Sequence, residues 1–114
     1  MEAGTKKDLA DTTNGGRLTL TIIEAVLTRN TEAYGKMDPF CQVKKGASIM
    51  MKTNVLAEAG KTPKWNETKK FEIADGSEFL EFIELVVMDA DSYSNETVGN
   101  ISLHMSELCA KQPF

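Results

Sequence analysis

Two closely spaced aspartates follow an apolar run in the stretch "VMDADSYSNETVGN", residues 87–100. Asp89 and Asp91 are separated by a single residue, and like charges at this spacing repel unless solvent or a cation screens them. Asp38 has a comparable place, directly before a second apolar stretch that begins at Pro39. Carboxylate oxygens are ligands that Ca²⁺ prefers, and the ion takes about six to eight oxygens. If the two loops lie at one end of the fold, the three aspartates predict a calcium site there.

Alternating apolar residues predict the strands that position these loops. The stretch "RLTLTII" places Leu18, Leu20 and Ile22 on one face, and "FLEFIELVVMD" shows the same period of two, which is typical of strands with a buried face. Four further strand candidates are "PFCQVKK", "SIMMKTNVL", "WNETKKFEI" and "TVGNISLHM", separated by turn signals rich in Gly, Pro, Asn and Asp. Six strands with polar loops predict an all-β fold, an antiparallel Greek-key β-sandwich.

The N-terminal segment differs from the rest of the chain. Residues 1–16 are polar and show no apolar period, which predicts a flexible tail. Residues 17–114 are then expected to form one domain, because a chain of this length can bury a single hydrophobic core. No stretch reaches the roughly 18 consecutive apolar residues of a membrane span, and the N-terminus lacks the apolar centre of a signal peptide. We therefore expect the protein in the cytoplasm.

Charge and residue types argue against two classes of function. The net charge is −4, and although lysines concentrate in residues 44–70, the following residues 71–107 contain no Lys or Arg. This distribution disfavours nucleic-acid binding. The chain has a single histidine, His104, which lies in a predicted strand and is expected to be structural. Without a catalytic histidine, neither a Ser-His-Asp nor a Cys-His arrangement can be built. We expect a binding module rather than an enzyme and assign no catalytic residue.

Four motifs, taken in order along the chain, resemble the C2 domain, a β-sandwich module that binds calcium and phospholipids. The matching segments are Asp38-Pro39-Phe40, Thr62-Pro63-Lys64-Trp65-Asn66-Glu67, Val87-Met88-Asp89-Ala90-Asp91 and Gly99. The resemblance runs from about Arg17 to Leu108. Because the first predicted strand starts directly at "GRLTLTI", the resemblance implies the type II strand order of the family.

The resemblance also implies a site of five acidic residues that binds calcium as its cofactor. Asp38, Asp89 and Asp91 match three of the positions, and Glu32 and Glu96 stand where the family has aspartate. Glutamate keeps the charge of the site. Its side chain is one methylene longer, so it can bind the ion only where the backbone recedes.

Membrane contacts are implied at the loop tips and on a basic groove for phosphoinositide head groups. The loop-tip candidates are Tyr34, Met37 and Tyr93, with ordinary turn packing as the alternative. The basic-groove candidates are Lys44, Lys52 and Lys64, with solvated strand faces as the alternative. Trp65 opens a strand in the family motif and is expected in the core or in a groove wall.

The function implied by the resemblance is calcium-dependent binding to anionic phospholipid membranes, with peripheral recruitment from the cytoplasm. The alternative is a calcium-independent module for protein interaction or scaffolding, which the two glutamates and a shortened loop before Gly99 favour. The family has eight strands and the pattern yields six, so the last two are missing from the prediction. Three explanations stay open: the chain is a piece of a larger protein, it self-associates through unpaired strands, or segments interpreted as loops form the missing strands.

Overall fold

The computed structural model describes residues 2–8, 16–32, 35–73, 81–91 and 94–105, and for residues 2–8, 16 and 73 it describes the backbone alone. The strands in these ranges are β1 Glu2–Asp8, β2 Gly16–Glu24, β3 Pro39–Lys45, β4 Ser48–Lys52, β5 Lys64–Ile73, β6 Phe82–Asp89 and β7 Glu96–His104. They form a three-stranded sheet of order β1-β2-β5 and a four-stranded sheet of order β4-β3-β6-β7. All neighbouring strands are antiparallel. The predicted all-β antiparallel sandwich is confirmed, and all six predicted strands are present.

The hydrophobic core follows from the period of two in the sequence. In β2, Leu18, Leu20 and Ile22 are fully buried, whereas the threonines between them are partly exposed. In β6, Ile83 and Leu85 are also buried and belong to the same cluster. Burying each such side chain contributes about 1.5–3 kcal/mol, so the alternation in these two strands holds the sheets face to face.

The predicted tail is wrong for Glu2–Asp8. These residues form β1, which pairs with β2 from Asp8 opposite Arg17 to Glu2 opposite Glu24. Backbone N–H and C=O groups make the ladder of a sheet, so a polar segment can form a strand without an apolar period. The hydrophobic pattern therefore gave no signal for β1.

The presence of β1 also changes two expectations about strand order. The type II order was inferred from a chain that enters the sandwich at Arg17, and this premise is wrong because β1 already pairs with β2. The described residues contain seven strands, one more than predicted. Relative to the eight strands that the resemblance implies, one rather than two is absent from the described ranges.

Side chains of β5 join the outer edges of the two sheets. The Nζ of Lys69 donates to the backbone oxygen of Met50 in β4 at 2.8 Å. The carboxylate of Glu67 accepts the backbone N–H of Asn54, which follows β4, at 2.9 and 3.1 Å. These bonds satisfy backbone groups that an edge strand would otherwise expose to other chains.

Candidate functional site

The loop containing Asp38 and the loop after β6 lie at the same end of the sandwich. Pro39, the first residue of β3, pairs directly with Asp89, the last residue of β6. The backbone N–H of Ala90 donates to the backbone oxygen of Asp38 at 3.0 Å. Glu96 opens β7 opposite Asp89, so it starts at this end as well. The structure thus brings Asp38 and the acidic residues around β6 and β7 to one end, as the spacing predicts.

Asp89 is the buried centre of this end, with a side chain that is only 2% exposed. Its Oδ1 accepts the backbone N–H of Asp38 at 2.8 Å, and its Oδ2 accepts the hydroxyl of Thr31 at 2.7 Å. Burial by itself raises the pKa of Asp89, but the hydrogen bonds from Thr31 and from the Asp38 backbone outweigh burial and hold the pKa below its ordinary value. Asp89 is therefore an anion held in place at neutral pH.

Glu32 is brought against this anion by the loop that follows β2. Its backbone N–H donates to the side-chain oxygen of Asn30 at 3.1 Å, which turns the chain at this point. A hydrogen bond to Asp89 raises the pKa of Glu32 first, and the negative charges of Asp89, Asp91 and Asp38 raise it further. The carboxyl groups therefore lie close enough to oppose one another's ionisation, which is the repulsion that a bound cation would relieve.

The loop between β4 and β5 fixes the position of Asp38. The backbone N–H of Glu58 donates to Oδ1 of Asp38 at 2.6 Å, and the N–H of Gly60 donates to the backbone oxygen of Met37 at 3.0 Å. Glu58 has φ of 57°, a left-handed conformation that non-glycine residues adopt only when their surroundings hold them there. The indole N–H of Trp65 donates to the backbone oxygen of Pro39 at 3.3 Å. The prediction of Trp65 in the core or in a groove wall agrees with its 7% exposure.

Sequence reasoning missed Thr31 and Glu58. Thr31 carries a hydroxyl that could have been suspected, since it stands one residue before Glu32 in the same loop. Glu58 acts through its backbone N–H, and a backbone donor leaves no signature in the residue type. The sequence thus predicted the carboxylates but only part of the groups that orient them.

The ligand atoms at this end are of the type that calcium prefers, but their side chains do not surround a single point. Within the described ranges, no three acidic, His or Cys side chains lie close enough together to form a metal site as they stand. Asp91 and Glu96 are exposed, and each lies within two residues of a strand terminus at this end of the sandwich. The group offers oxygen donors alone, the set that Ca²⁺ prefers over softer metals. In donor chemistry, though not in the present arrangement of their side chains, these residues fit a calcium ion.

Met37 is buried rather than presented at a loop tip, contrary to the prediction. Its side chain is fully buried in the core, and its Sδ accepts the backbone N–H of Thr31 at 3.4 Å. The bond from Gly60 to its backbone oxygen helps to hold this part of the loop against the core. The other two loop-tip candidates, Tyr34 and Tyr93, lie outside the described residues.

The three predicted basic-groove lysines are divided between the two sheets. Lys44 and Lys52 belong to the four-stranded sheet, where the ammonium of Lys52 lies 4.8 Å from the ring centre of Phe40. Lys64 belongs to β5 in the other sheet and forms an ion pair with Glu24 at 3.8 Å. The resemblance grouped Lys64 with the others because the basic groove of the family draws on lysines of neighbouring strands, but Lys64 begins a strand of the opposite sheet.

We expect Glu32→Gln to stabilise the metal-free protein at neutral pH and to weaken calcium binding. The folded state raises the pKa of Glu32, so protonated Glu32 stabilises the fold below its ordinary pKa, and this contribution is lost as the pH rises through the raised value. Glutamine stays neutral at every pH and can still donate a hydrogen bond to Asp89. Thermal unfolding in a chelator should give a higher Tm for the variant at pH 7, with the difference shrinking in acid.

Glu72→Gln is the matched control for this comparison, because Glu72 is exposed and forms its ion pair with Arg17 on the three-stranded sheet. It should leave both the Tm and the calcium titration near wild type. A lower Tm for Glu32→Gln at neutral pH would contradict the repulsion inferred at this end of the sandwich.

Comparison with known proteins connects this geometry to one family. A model of the C2 domain family matches residues 16–114. A calcium-dependent lipid-binding protein of Arabidopsis thaliana is 28% identical over 93 residues, which cover 82% of this chain and 18% of that protein. The chain thus spans less than a fifth of this relative.

Two solved structures share the fold. A C2 domain of plant extended synaptotagmin 1 has a TM-score of 0.68 and 26% identity, over 83% of this chain and 72% of that chain. A C2 domain of the RIM protein from Drosophila has a TM-score of 0.75 and 14% identity, over 92% of this chain and 84% of that chain. In the part of the chain that the structure describes, no helix has the length and apolar character needed to cross a bilayer.

Proposed function

Because the chain belongs to the C2 domain family, we propose that it is a calcium-dependent module that binds anionic phospholipid membranes. One observation carries this proposal: the buried anion of Asp89 lies beside Glu32, whose ionisation the neighbouring carboxylates oppose. Such a cluster attracts a divalent cation, because the ion offsets the repulsion among the carboxylates. The similarity to a calcium-dependent lipid-binding protein supports the same conclusion.

The residues of the site have distinct roles in this proposal. Asp89 is held in place by Thr31 and the Asp38 backbone, and it contributes a fixed negative charge at the base of the site. The Oδ1 of Asp38 is held by Glu58, so its other oxygen is the one available to an ion. Asp91, Glu96 and Glu32 complete the set, and the positive charge of the ion would offset the repulsion that raises the pKa of Glu32.

Charge at this end of the sandwich decides whether it approaches a membrane. The end of the sandwich that carries the five proposed ligands is called the acidic end. Without the ion, it is repelled by anionic lipid. Bound Ca²⁺ supplies positive charge that can also accept a lipid phosphate oxygen as a ligand. The outer-face lysines Lys44 and Lys52 then add attraction to the anionic surface. We therefore expect peripheral recruitment from the cytoplasm when calcium rises.

A second candidate is a calcium-independent module that binds another protein. The observation in its favour is that both oxygens of Asp89 already accept hydrogen bonds from the protein itself. A carboxylate satisfied in this way can have a purely structural role at the end of β6. Glu32 and Glu96, in place of the aspartates of the family pattern, point in the same direction.

Sedimentation with vesicles separates these two functions. Wild-type protein should pellet with phosphatidylserine-containing vesicles in Ca²⁺, remain soluble in chelator, and remain soluble with neutral phosphatidylcholine vesicles under both conditions. High salt should weaken the binding, because surface electrostatics are screened. Binding that is the same with and without Ca²⁺, or a silent calorimetric titration at millimolar Ca²⁺, would favour the protein-interaction module.

A further inference from the structure

An apolar groove lies beside the candidate site, between the end of β2 and strand β7. Its volume is about 250 Å³, and its walls include Val26, Leu27, Val98 and Ile101, with Gly99 at its floor. None of the five proposed calcium ligands is among the residues that line it. The groove is therefore a feature separate from the acidic end.

The floor of the groove faces the interior of the sandwich but is not covered. Gly99 and Ile101 pair directly with Val87 and Leu85, and directly paired residues share a face of the sheet. Val87 and Leu85 are buried, yet Ile101 is 42% exposed. Val26, on the opposite wall, is 69% exposed. Ile101 thus faces inward, but no described side chain of the opposite sheet covers it fully.

Gly99 opens the groove further. A Cβ atom added at Gly99 would meet no atom within 4 Å. Glycine inside a strand costs about 0.5–1 kcal/mol relative to alanine, and it often marks a place where a ligand or another backbone approaches closely. Gly99 also adjoins the register irregularity between β6 and β7, and its missing side chain leaves room in the groove for a side chain of an occupant.

The backbone along one wall indicates what kind of occupant fits. The N–H groups of Ala25 and Leu27 donate to the backbone oxygens of Pro63 and Lys61, toward the side of β5. Val26 and Thr28 alternate with them, so their backbone groups point the other way, and they make no backbone hydrogen bond within the described ranges. A lipid chain cannot pair with these groups, whereas an extended polypeptide can.

We propose that this groove docks an extended segment of a partner polypeptide. The segment pairs antiparallel with Val26–Thr28 and places one apolar side chain above Gly99, in the manner of strand addition at a sheet edge. Arg29 follows directly along the chain, and its guanidinium donates to the backbone oxygen of Thr97 at 3.2 Å, at the end of the groove nearest the acidic site. Because the added strand is antiparallel, its N-terminal residue lies near Arg29. An acidic residue there can form an ion pair with Arg29.

The probe is a short synthetic peptide that begins with Glu and continues with alternating Val and Thr. One control peptide has the same composition with its valines contiguous, and a second begins with Gln. Titrations are followed by the backbone amide NMR signals of Gly99 and Ile101 in chelator, so that a failure of calcium binding cannot affect the result. We expect the alternating peptide to shift these signals and the contiguous one to leave them unchanged.

Gly99→Leu should fill the groove and weaken peptide binding at least about tenfold, or about 1.4 kcal/mol. The matched control is Ser102→Leu, which adds the same side chain on the outer face of β7, opposite Glu84. If Gly99→Leu does not fold, Ile101→Thr removes apolar wall surface at a half-exposed position and serves in its place. Arg29→Gln should abolish the preference for the Glu peptide over the Gln peptide.

Equal binding to Gly99→Leu and Ser102→Leu would overturn the proposal, as would equal binding of the alternating and contiguous peptides. Decanoate that shifts the same amide signals more strongly than the peptide does would assign the groove to an acyl chain instead. Val26 and Thr28 amides that are already protected from hydrogen exchange in the free protein would show that the chain itself pairs with this wall of the groove.

Discussion

The Asp89→Asn/Asp91→Asn variant is expected to stay in the supernatant with phosphatidylserine vesicles whether or not Ca²⁺ is present. The double change removes two of the five proposed carboxylate ligands, including the one that is held by Thr31 and by the backbone of Asp38. Loss of an outer-shell partner of a metal ligand typically costs about 10–100-fold in metal affinity, so loss of two ligands should cost more. Calorimetric titration with Ca²⁺ and vesicle sedimentation measure this loss.

Asparagine is the suitable replacement at position 89 because it separates metal binding from folding. Its side-chain oxygen can still accept the N–H of Asp38, and its amide can donate to the hydroxyl of Thr31, which rotates to accept. Asp89→Ala leaves both groups without a partner at a buried position, which costs about 1–3 kcal/mol for each unsatisfied group. We therefore expect the alanine variant to lose stability and the asparagine variant to keep most of it.

A charge-matched control is available away from the site. Glu72→Gln/Glu84→Gln removes the same two negative charges from residues of β5 and β6 whose partners are Arg17 and Asn100. This variant should pellet with the vesicles in Ca²⁺ as the wild type does. If the aspartate variant still pellets in a calcium-dependent way, the proposed ligands are wrong.

Met37→Ala is expected to destabilise the fold by about 2–5 kcal/mol, the usual cost of removing a large buried aliphatic side chain. Met37 is fully buried, and its Sδ accepts the N–H of Thr31, whose hydroxyl holds Asp89. The substitution should therefore leave a cavity below the acidic end and loosen the loops that carry it. With a total stability of about 5–15 kcal/mol for a typical domain, a loss of this size is a large part of the whole.

Denaturant unfolding in chelator measures the effect, and Met37→Leu is the control. Leucine conserves the volume of the side chain and should cost less than about 1.5 kcal/mol. The same experiment decides between the sequence-based prediction and the structure. A Met37→Ala variant with unchanged stability but weaker vesicle binding would show that Met37 contacts the membrane after all.

The sequence predicted those parts of the fold in which side-chain burial has a period. Leu18, Leu20 and Ile22 alternate with threonines, so both the strand and its buried face could be predicted. Strand β1 was missed because its contribution is a backbone ladder with β2, and polar residues can supply that ladder as well as apolar ones. The premise of the inferred type II order, that the chain enters the sandwich at Arg17, was wrong for the same reason.

The candidate site was predictable where it consists of acidic side chains, because these residue types can be read directly from the sequence. Asp38 and Asp89 meet because β3 and β6 are paired neighbours, and their motifs lie at the ends of those strands. The support from Glu58 depends on a left-handed backbone conformation and a loop folded back from β4, neither of which leaves a local pattern. Met37 was misassigned because a position in a loop says little about which side chains the loop turns inward.

The placement of Trp65 gives the acidic end an optical probe of its own. The chain has a single tryptophan, and its indole N–H is bonded to the backbone oxygen of Pro39, next to Asp38. Its emission therefore reports on one defined contact, without added dye or competing signal from another indole. A change in the conformation of the Asp38 loop becomes visible as a shift in wavelength, fast enough to follow in a stopped-flow mixer.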